Sequence, residues 1–104
     1  MHRVLVLYLP PEDPRASRAY FENTHIPLAA KLPGQRSMRY SFEVAAAEGE
    51  SPYFGVMEAE FDDAEALGAA MASPEGQAVV ADIPNYATGG AVVLNYPVQE
   101  ARLR

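Results

Sequence analysis

The segment from Arg36 to Val44 alternates residue by residue. Met38, Tyr40, Phe42 and Val44 share one parity, and Ser37, Arg39, Ser41 and Glu43 share the other. A period of two marks a strand with one buried and one wet face. Tyr53 to Phe61 reads as the next strand, and residues 45–52 (Ala-Ala-Ala-Glu-Gly-Glu-Ser-Pro) read as the exposed loop between them. A hairpin closed by that loop sets Val44 opposite Tyr53, Phe42 opposite Gly55, Tyr40 opposite Met57 and Arg39 opposite Glu58. In this register the apolar faces coincide and a charge pair forms. A slip of one residue breaks both.

The other elements follow from their punctuation. Arg3 to Leu9 reads as a strand that is apolar on both faces and ends at Pro10-Pro11. Asp13-Pro14 has the form of a helix start, with Asp13 as N-cap and proline at the first helical position. This predicts a helix from Pro14 to about Thr24, with Ala16, Tyr20 and Thr24 on one stripe and Phe21 and His25 beside it. Pro27 has no N–H to donate to Asn23, which predicts a break there. A second short helical piece runs from Pro27 to Leu32, and Pro33-Gly34 turns the chain. Asp62 or Asp63 caps a helix running through Glu65, Leu67 and Met71. Ser73-Pro74-Glu75-Gly76 starts another segment that ends near Asp82, before Pro84. Ala91 to Tyr96 is a last strand, apolar on both faces. There is no internal repeat and no linker, so residues 1–104 read as a single domain with a loose tail at Val98–Arg104.

The order strand, helix, strand, strand, helix, strand is the ferredoxin-like split pattern. Right-handed crossovers put both helical layers on one face of a four-stranded antiparallel sheet. The first and last strands still carry apolar residues on both faces: Val4 to Leu7, and Val92, Val93 and Leu94. A monomer would expose the open face as a large apolar patch. The same sheet from a second chain covers it, which predicts a homodimer joined through its sheet faces as an α+β barrel. The alternative is a monomer with an exposed apolar face.

Charge excludes some partners. The chain carries a formal net charge of −6. Between Arg39 and Arg102 there are ten acidic residues before Glu100 and no basic one. Such a surface repels nucleic acid and anionic lipid, so neither is expected as a partner. With no cysteine, disulfides, thiolate metal sites and a cysteine nucleophile are excluded. No apolar run reaches the roughly 20 residues of a membrane helix. The apolar start at Met1–Tyr8 ends at Pro10-Pro11-Glu12-Asp13 without a small-residue cleavage site, and the expected location is cytoplasmic.

His25 stands at the predicted helix break, where side chains can be turned into a pocket. It is also the residue type that changes charge near neutral pH. A histidine near a helix C-terminus can equally serve only to satisfy that end.

The chain resembles the EthD family, named after a locus for degradation of ethyl tert-butyl ether. The resemblance lies in Leu7-Tyr8 with Pro11–Pro14, Tyr20-Phe21 with Thr24–Leu28, Leu32-Pro33-Gly34, Ser51-Pro52-Tyr53, Ser73–Gly76 and Asp82–Tyr86. It implies a dimeric α+β barrel with a small-ligand site between the helices and the sheet of each subunit. It further implies an oxidoreductase-type or cofactor-independent enzyme of catabolism or secondary metabolism, acting on a small apolar or aromatic compound. No metal and no cofactor are expected; Gly89-Gly90 lacks the turn-to-helix context of a dinucleotide site. His25 then becomes the expected catalytic acid/base. Asp82 either orients His25 or caps a turn. Tyr86 lines the pocket mouth or is a core tyrosine. Tyr20 lies close to His25. Tyr40 and Phe42 line the ligand cavity if their face meets the helices, and the dimer interface if it does not. A non-catalytic ligand-binding protein and a haem-binding relative with His25 as axial ligand are the competing readings. Asp62-Asp63 reads as a helix start, and His2 as an irrelevant residue at a mobile terminus.

Overall fold

The computed structural model describes residues 1–103. Strand β1 (His2–Tyr8) leads into α1 (Pro14–Tyr20), a π-helical turn (Phe21–His25) and α2 (Ile26–Ala29). Strands β2 (Ser37–Ser41) and β3 (Gly55–Phe61) precede α3 (Ala64–Ala72), α4 (Pro74–Tyr86) and β4 (Ala91–Pro97). The sheet is antiparallel with order β2-β3-β1-β4, the ferredoxin-like α+β fold.

The hairpin has the register that the alternation predicts: Arg39 faces Glu58 and Tyr40 faces Met57. Both strands are shorter than predicted. Ser41 Oγ accepts the Glu43 N–H at 3.0 Å and turns the chain out of the ladder. The Phe42 ring then lies over Gly55, in the space that a Cβ would need. On the other side Ser51 Oγ accepts the Tyr53 N–H at 3.0 Å, so Tyr53 belongs to the loop.

The caps hold where the sequence puts them. Asp13 accepts from the Ala16 N–H at 3.1 Å, Asp63 from Ala66 at 2.8 Å and Ser73 from Gly76 at 3.1 Å. Each such cap is worth about 1 kcal/mol.

Two proline readings are corrected. Pro27 does not break the first helix: the chain keeps helical dihedrals through Tyr20, His25 and Ile26. The ladder widens instead, the Ile26 N–H donates to the Phe21 carbonyl, and Pro27 falls in the first turn of α2, where a missing N–H costs nothing. Pro84 does not end the last helix either; α4 continues through it to Tyr86. Pro84 and Val80, one turn before it, are both exposed, so the carbonyl that loses its partner lies on the wet side.

The first helix also presents a different stripe. Ser17, Phe21 and His25 are buried, while Ala16 and Thr24 are exposed. Val6, Tyr8, Phe21, Tyr86 and Ala87 form one core cluster, and Ala59, Phe61, Leu67 and Ala70 form a second. The C-terminal stretch starts tied: the Val98 N–H donates to the Met1 carbonyl at 2.9 Å. Residues 99–103 have no regular structure, and Arg104 of the predicted tail lies outside the described residues.

Candidate active site

The π turn and α4 bring His25 and Asp82 together. His25 is 2% exposed, and its Nδ1 lies 2.9 Å from Asp82 Oδ2. Asp82 Oδ1 accepts from the Tyr20 hydroxyl at 2.6 Å and from Asn85 Nδ2 at 3.0 Å. Asn85 Nδ2 also lies 3.3 Å from the Tyr20 oxygen, closing the cluster. Asp82 thus bonds His25 through one oxygen and Tyr20 and Asn85 through the other.

The electrostatics fix the tautomer. Burial pushes the Asp82 carboxyl upward, but hydrogen bonds from Tyr20, Asn85 and His25 outweigh it and hold Asp82 below the usual carboxylate range. An ionised carboxylate only accepts, so Nδ1 of His25 carries the proton and donates it. Burial drives the His25 pKa below its ordinary value, although Asp82 pulls the other way. At neutral pH the ring is neutral, with its lone pair on Nε2. Nε2 makes no hydrogen bond among the described residues and is not sealed from solvent. Neutral imidazole with a carboxylate on one nitrogen and a free lone pair on the other is the arrangement of a general base.

Aromatic rings frame the imidazole. Phe21 stacks on it with centroids 5.5 Å apart, and Tyr86 lies tilted at 4.5 Å. The Tyr86 hydroxyl lies 2.8 Å from that of Tyr8, and the Tyr86 carbonyl accepts from Ser17 Oγ at 2.7 Å. Burial pushes the Tyr8 phenol up to about 12 and Tyr86 well above its ordinary value, so both stay protonated. Tyr86 is thus both a satisfied core residue and a wall of the site. A cleft of about 210 Å³, bordered by Ser17, Tyr20, Asn85 and Tyr86, opens beside the network.

Tyr40 and Phe42 lie on the helix side of the sheet. Phe21 meets them edge-on at 5.1 and 5.2 Å. Phe42 packs against the core cluster, whereas Tyr40 is 39% exposed and donates to Glu22 Oε2 at 2.9 Å. Both support the ring beneath His25 rather than touch the imidazole. Tyr8 and Asn85 fall within the family-like motifs, which do not mark them as members of the site, and Ser17 carries no sequence signal. Asn85 follows Asp82 by three residues, a signal that reads as one helix face only with α4 continuing through Pro84.

His2 is corrected as well. It lies in β1, is 7% exposed and bonds Asn95 Oδ1 through Nε2 at 2.8 Å. Among the described residues, no group of three or more His, Cys, Asp or Glu side chains could hold a metal ion. No described helix is long and apolar enough to cross a membrane.

Known proteins share this arrangement of chain. An uncharacterized 11.0 kDa protein in the thcB-thcC intergenic region of Rhodococcus erythropolis is 32% identical over 95 residues, covering 90% of this chain and 91% of that protein. The crystal structure of an ethyl tert-butyl ether degradation (EthD) family protein from Bacillus halodurans C-125 superimposes with a TM-score of 0.88 at 33% identity, over 95% of this chain and 99% of that one. A dimeric ferredoxin-like protein of unknown function from Thermobifida fusca YX shares the fold, with a TM-score of 0.71 at 16% identity over 93% and 90% of the two chains. Residues 9–90 match the EthD domain, and the chain belongs to the EthD family.

Proposed function

We propose that this protein is an enzyme that moves a proton on a small apolar or aromatic organic compound, with His25 as the acid/base. The buried His25–Asp82 pair, with Nε2 left free, carries the reading. Asp82 is a positioning residue, and Tyr20 and Asn85 hold its carboxylate in place. Tyr86 and Phe21 give the imidazole a mostly apolar setting suited to an apolar substrate. Proton abstraction from carbon opens isomerisation and dehydration, and, with dioxygen as the oxidant that takes the electron pair of the resulting carbanion, oxidation as well. The geometry favours haem ligation less. The imidazole is packed against Phe21 and Tyr86 at 2% exposure, which suits a base reached by a small molecule better than an axial ligand beneath a porphyrin.

The assembly belongs to the same proposal. Leu5, Leu7, Val56, Val92, Leu94 and Tyr96 share the sheet face that the helices leave open. Val92, Leu94 and Tyr96 are 38%, 46% and 38% exposed in one chain. A second copy laid on this face would remove that apolar surface from water, giving the homodimer.

Deuterium exchange tests the chemistry without a known substrate. Purified protein in D₂O is incubated with a panel of small alkyl and aryl ketones, and loss of the α-proton signals is followed by NMR. The expected result is exchange above the buffer rate for part of the panel, lowered about 100- to 10,000-fold in His25→Asn. Exchange at the buffer rate throughout, or exchange undiminished in His25→Asn, would overturn the proposal. A compound held tightly and recovered unchanged would favour the non-catalytic binding reading.

A further inference from the structure

Strand β4 closes the sheet on one side, and no strand lies beyond it. Its ladder to β1 has a fixed phase. The Val98 N–H donates to the Met1 carbonyl at 2.9 Å, and the Leu9 N–H donates to the Gly90 carbonyl at 3.0 Å. The hydrogen-bonded pairs between these ends are therefore Arg3–Tyr96, Leu5–Leu94 and Leu7–Val92. The N–H and C=O groups of Ala91, Val93 and Asn95 point the other way, out of the sheet edge. Among the described residues no backbone group from beyond the sheet bonds to them.

An exposed edge is usually blunted by charge or by brevity. The opposite edge has both: β2 spans only Ser37–Ser41, with Arg39 at its centre and Arg36 just before it. In contrast β4 spans Ala91–Pro97 and has no charged residue. The whole stretch from Ile83 to Gln99 is uncharged, in a chain of formal net charge −6. Val93, on the helix side of β4, is 56% exposed. Val80 of α4 borders the same apolar space and is 54% exposed. Neither residue lies on the open sheet face, so a contact through that face leaves both in water.

We infer that the β4 edge pairs with the β4 edge of a second copy, antiparallel about a two-fold axis at Val93. This register is self-complementary. Val93 stands opposite Val93 of the second copy and Ala91 opposite Asn95, so every outward N–H meets a carbonyl. Moving the axis to Leu94 would set Ala91 opposite Pro97, which has no N–H to give. Moving it to Val92 would set Asn95 opposite Gly89, in the turn before the strand. A second copy is the fitting occupant on charge as well. Two acidic chains repel each other where carboxylates meet, and the uncharged stretch lets them approach without that cost. Three outward residues a side make a contact far below the roughly 1,000 Å² of a lasting interface. The pairing is therefore transient and forms at about millimolar protein, while at micromolar concentration only the sheet-face contact persists.

Amide exchange resolved by NMR tests the edge residue by residue. Protein at about 20 μM and about 1 mM is transferred to D₂O for set times, quenched and read. The Ala91, Val93 and Asn95 amides should slow about tenfold at the higher concentration, and the Leu94 and Tyr96 amides, already bonded to β1, should not change. Val93→Lys sets two like charges face to face and should abolish the slowing. Val93→Thr keeps a β-branched side chain and should retain it. Leu5→Glu places a carboxylate on the open sheet face without touching β4, so it should break the face contact and leave the slowing intact. Fast exchange of the three outward amides at both concentrations overturns the inference. Protection that is equal at both concentrations overturns the second copy as occupant, because it assigns the edge to the protein's own tail. Slowing that survives in Val93→Lys overturns the Val93 axis, and slowing lost in Leu5→Glu overturns the independence of the edge from the face.

Discussion

Nδ1 of His25 and Oδ2 of Asp82 lie 2.9 Å apart across 57 residues of chain. One ends a π turn and the other sits within α4. The pair depends on two prolines that do not interrupt their helices. The widened turn before Pro27 keeps Ser17, Phe21 and His25 on one buried line. The continuation of α4 through Pro84 keeps Asp82, Asn85 and Tyr86 on one element.

Asp82→Asn removes the charge and weakens the bond that raise the His25 pKa, leaving desolvation less opposed. The His25 pKa should therefore fall further below its ordinary value. NMR titration of the imidazole reads this directly, and the acid limb of the exchange profile should move to lower pH with it. A merely structural Asp82 would change stability and leave both unmoved. The plateau rate should also drop, since a weaker base moves protons more slowly.

Stability should fall on mild acidification. His25 has a folded pKa below its unfolded value of about 6.5, so as the pH drops below that value the unfolded chain takes up the proton first. The contribution is present in full above the unfolded pKa and is lost as pH falls through the folded one. Asp82, also depressed, adds a second loss below its own unfolded value near 4. Urea unfolding at pH 7.5 and 5.5 should show a lower midpoint at the acid value, with a smaller drop in His25→Asn. An equal drop in both proteins would remove His25 as the cause.

Much of the fold is legible in the residues, and the failures have a common cause. The hairpin register follows from the alternation of Met38 to Val44 against Tyr53 to Phe61, because pairing is a short-range constraint. The caps at Asp13, Asp63 and Ser73 are equally local. The consequences of Pro27 and Pro84 are not, since whether a proline ends a helix depends on where the orphaned carbonyl points and what the neighbouring layer supports. The same limit hides the site. His25 and Asp82 carry signals of their own, through residue type and family pattern. Tyr8, Ser17 and Asn85 join them only by tertiary packing, and Tyr40 bonds Glu22 instead of facing the imidazole. The buried status of His2 follows from its parity in β1, which puts it on the sheet face of Val6 and Tyr8, and from its bond to Asn95 of β4.

Phe21 is fully buried and meets Tyr8, Tyr40, Phe42, Tyr86 and His25 at centroid distances of 5.1 to 5.9 Å. Phe21→Ala should lose about 3–5 kcal/mol. A domain of this size is typically stable by about 5–15 kcal/mol, so the variant should unfold at much lower urea. Phe21→Leu keeps most of the volume and should lose less. It frees the imidazole from its stacked neighbour, and slower exchange in a folded Phe21→Leu would place the ring in the positioning of His25. Chemical denaturation with both variants checks the order.

Leu94 tests the assembly. It pairs with Leu5 across β1 and β4 on the open sheet face, and it is 46% exposed in a single chain. Leu94→Glu sets a carboxylate in the middle of that apolar surface. In a face-to-face dimer two such carboxylates would be buried beside Leu5, on a face whose Arg3 is already paired with Glu60, at a cost of several kcal/mol. Light scattering with size exclusion should therefore show a dimer for the parent and a monomer for Leu94→Glu, with far-UV circular dichroism preserved because the side chain leaves the helix-facing core untouched. Thr88→Glu, on an exposed turn away from the sheet face, should stay dimeric. A parent protein that runs as a monomer at micromolar concentration, or a Leu94→Glu variant that remains dimeric, would reject the sheet face as the interface.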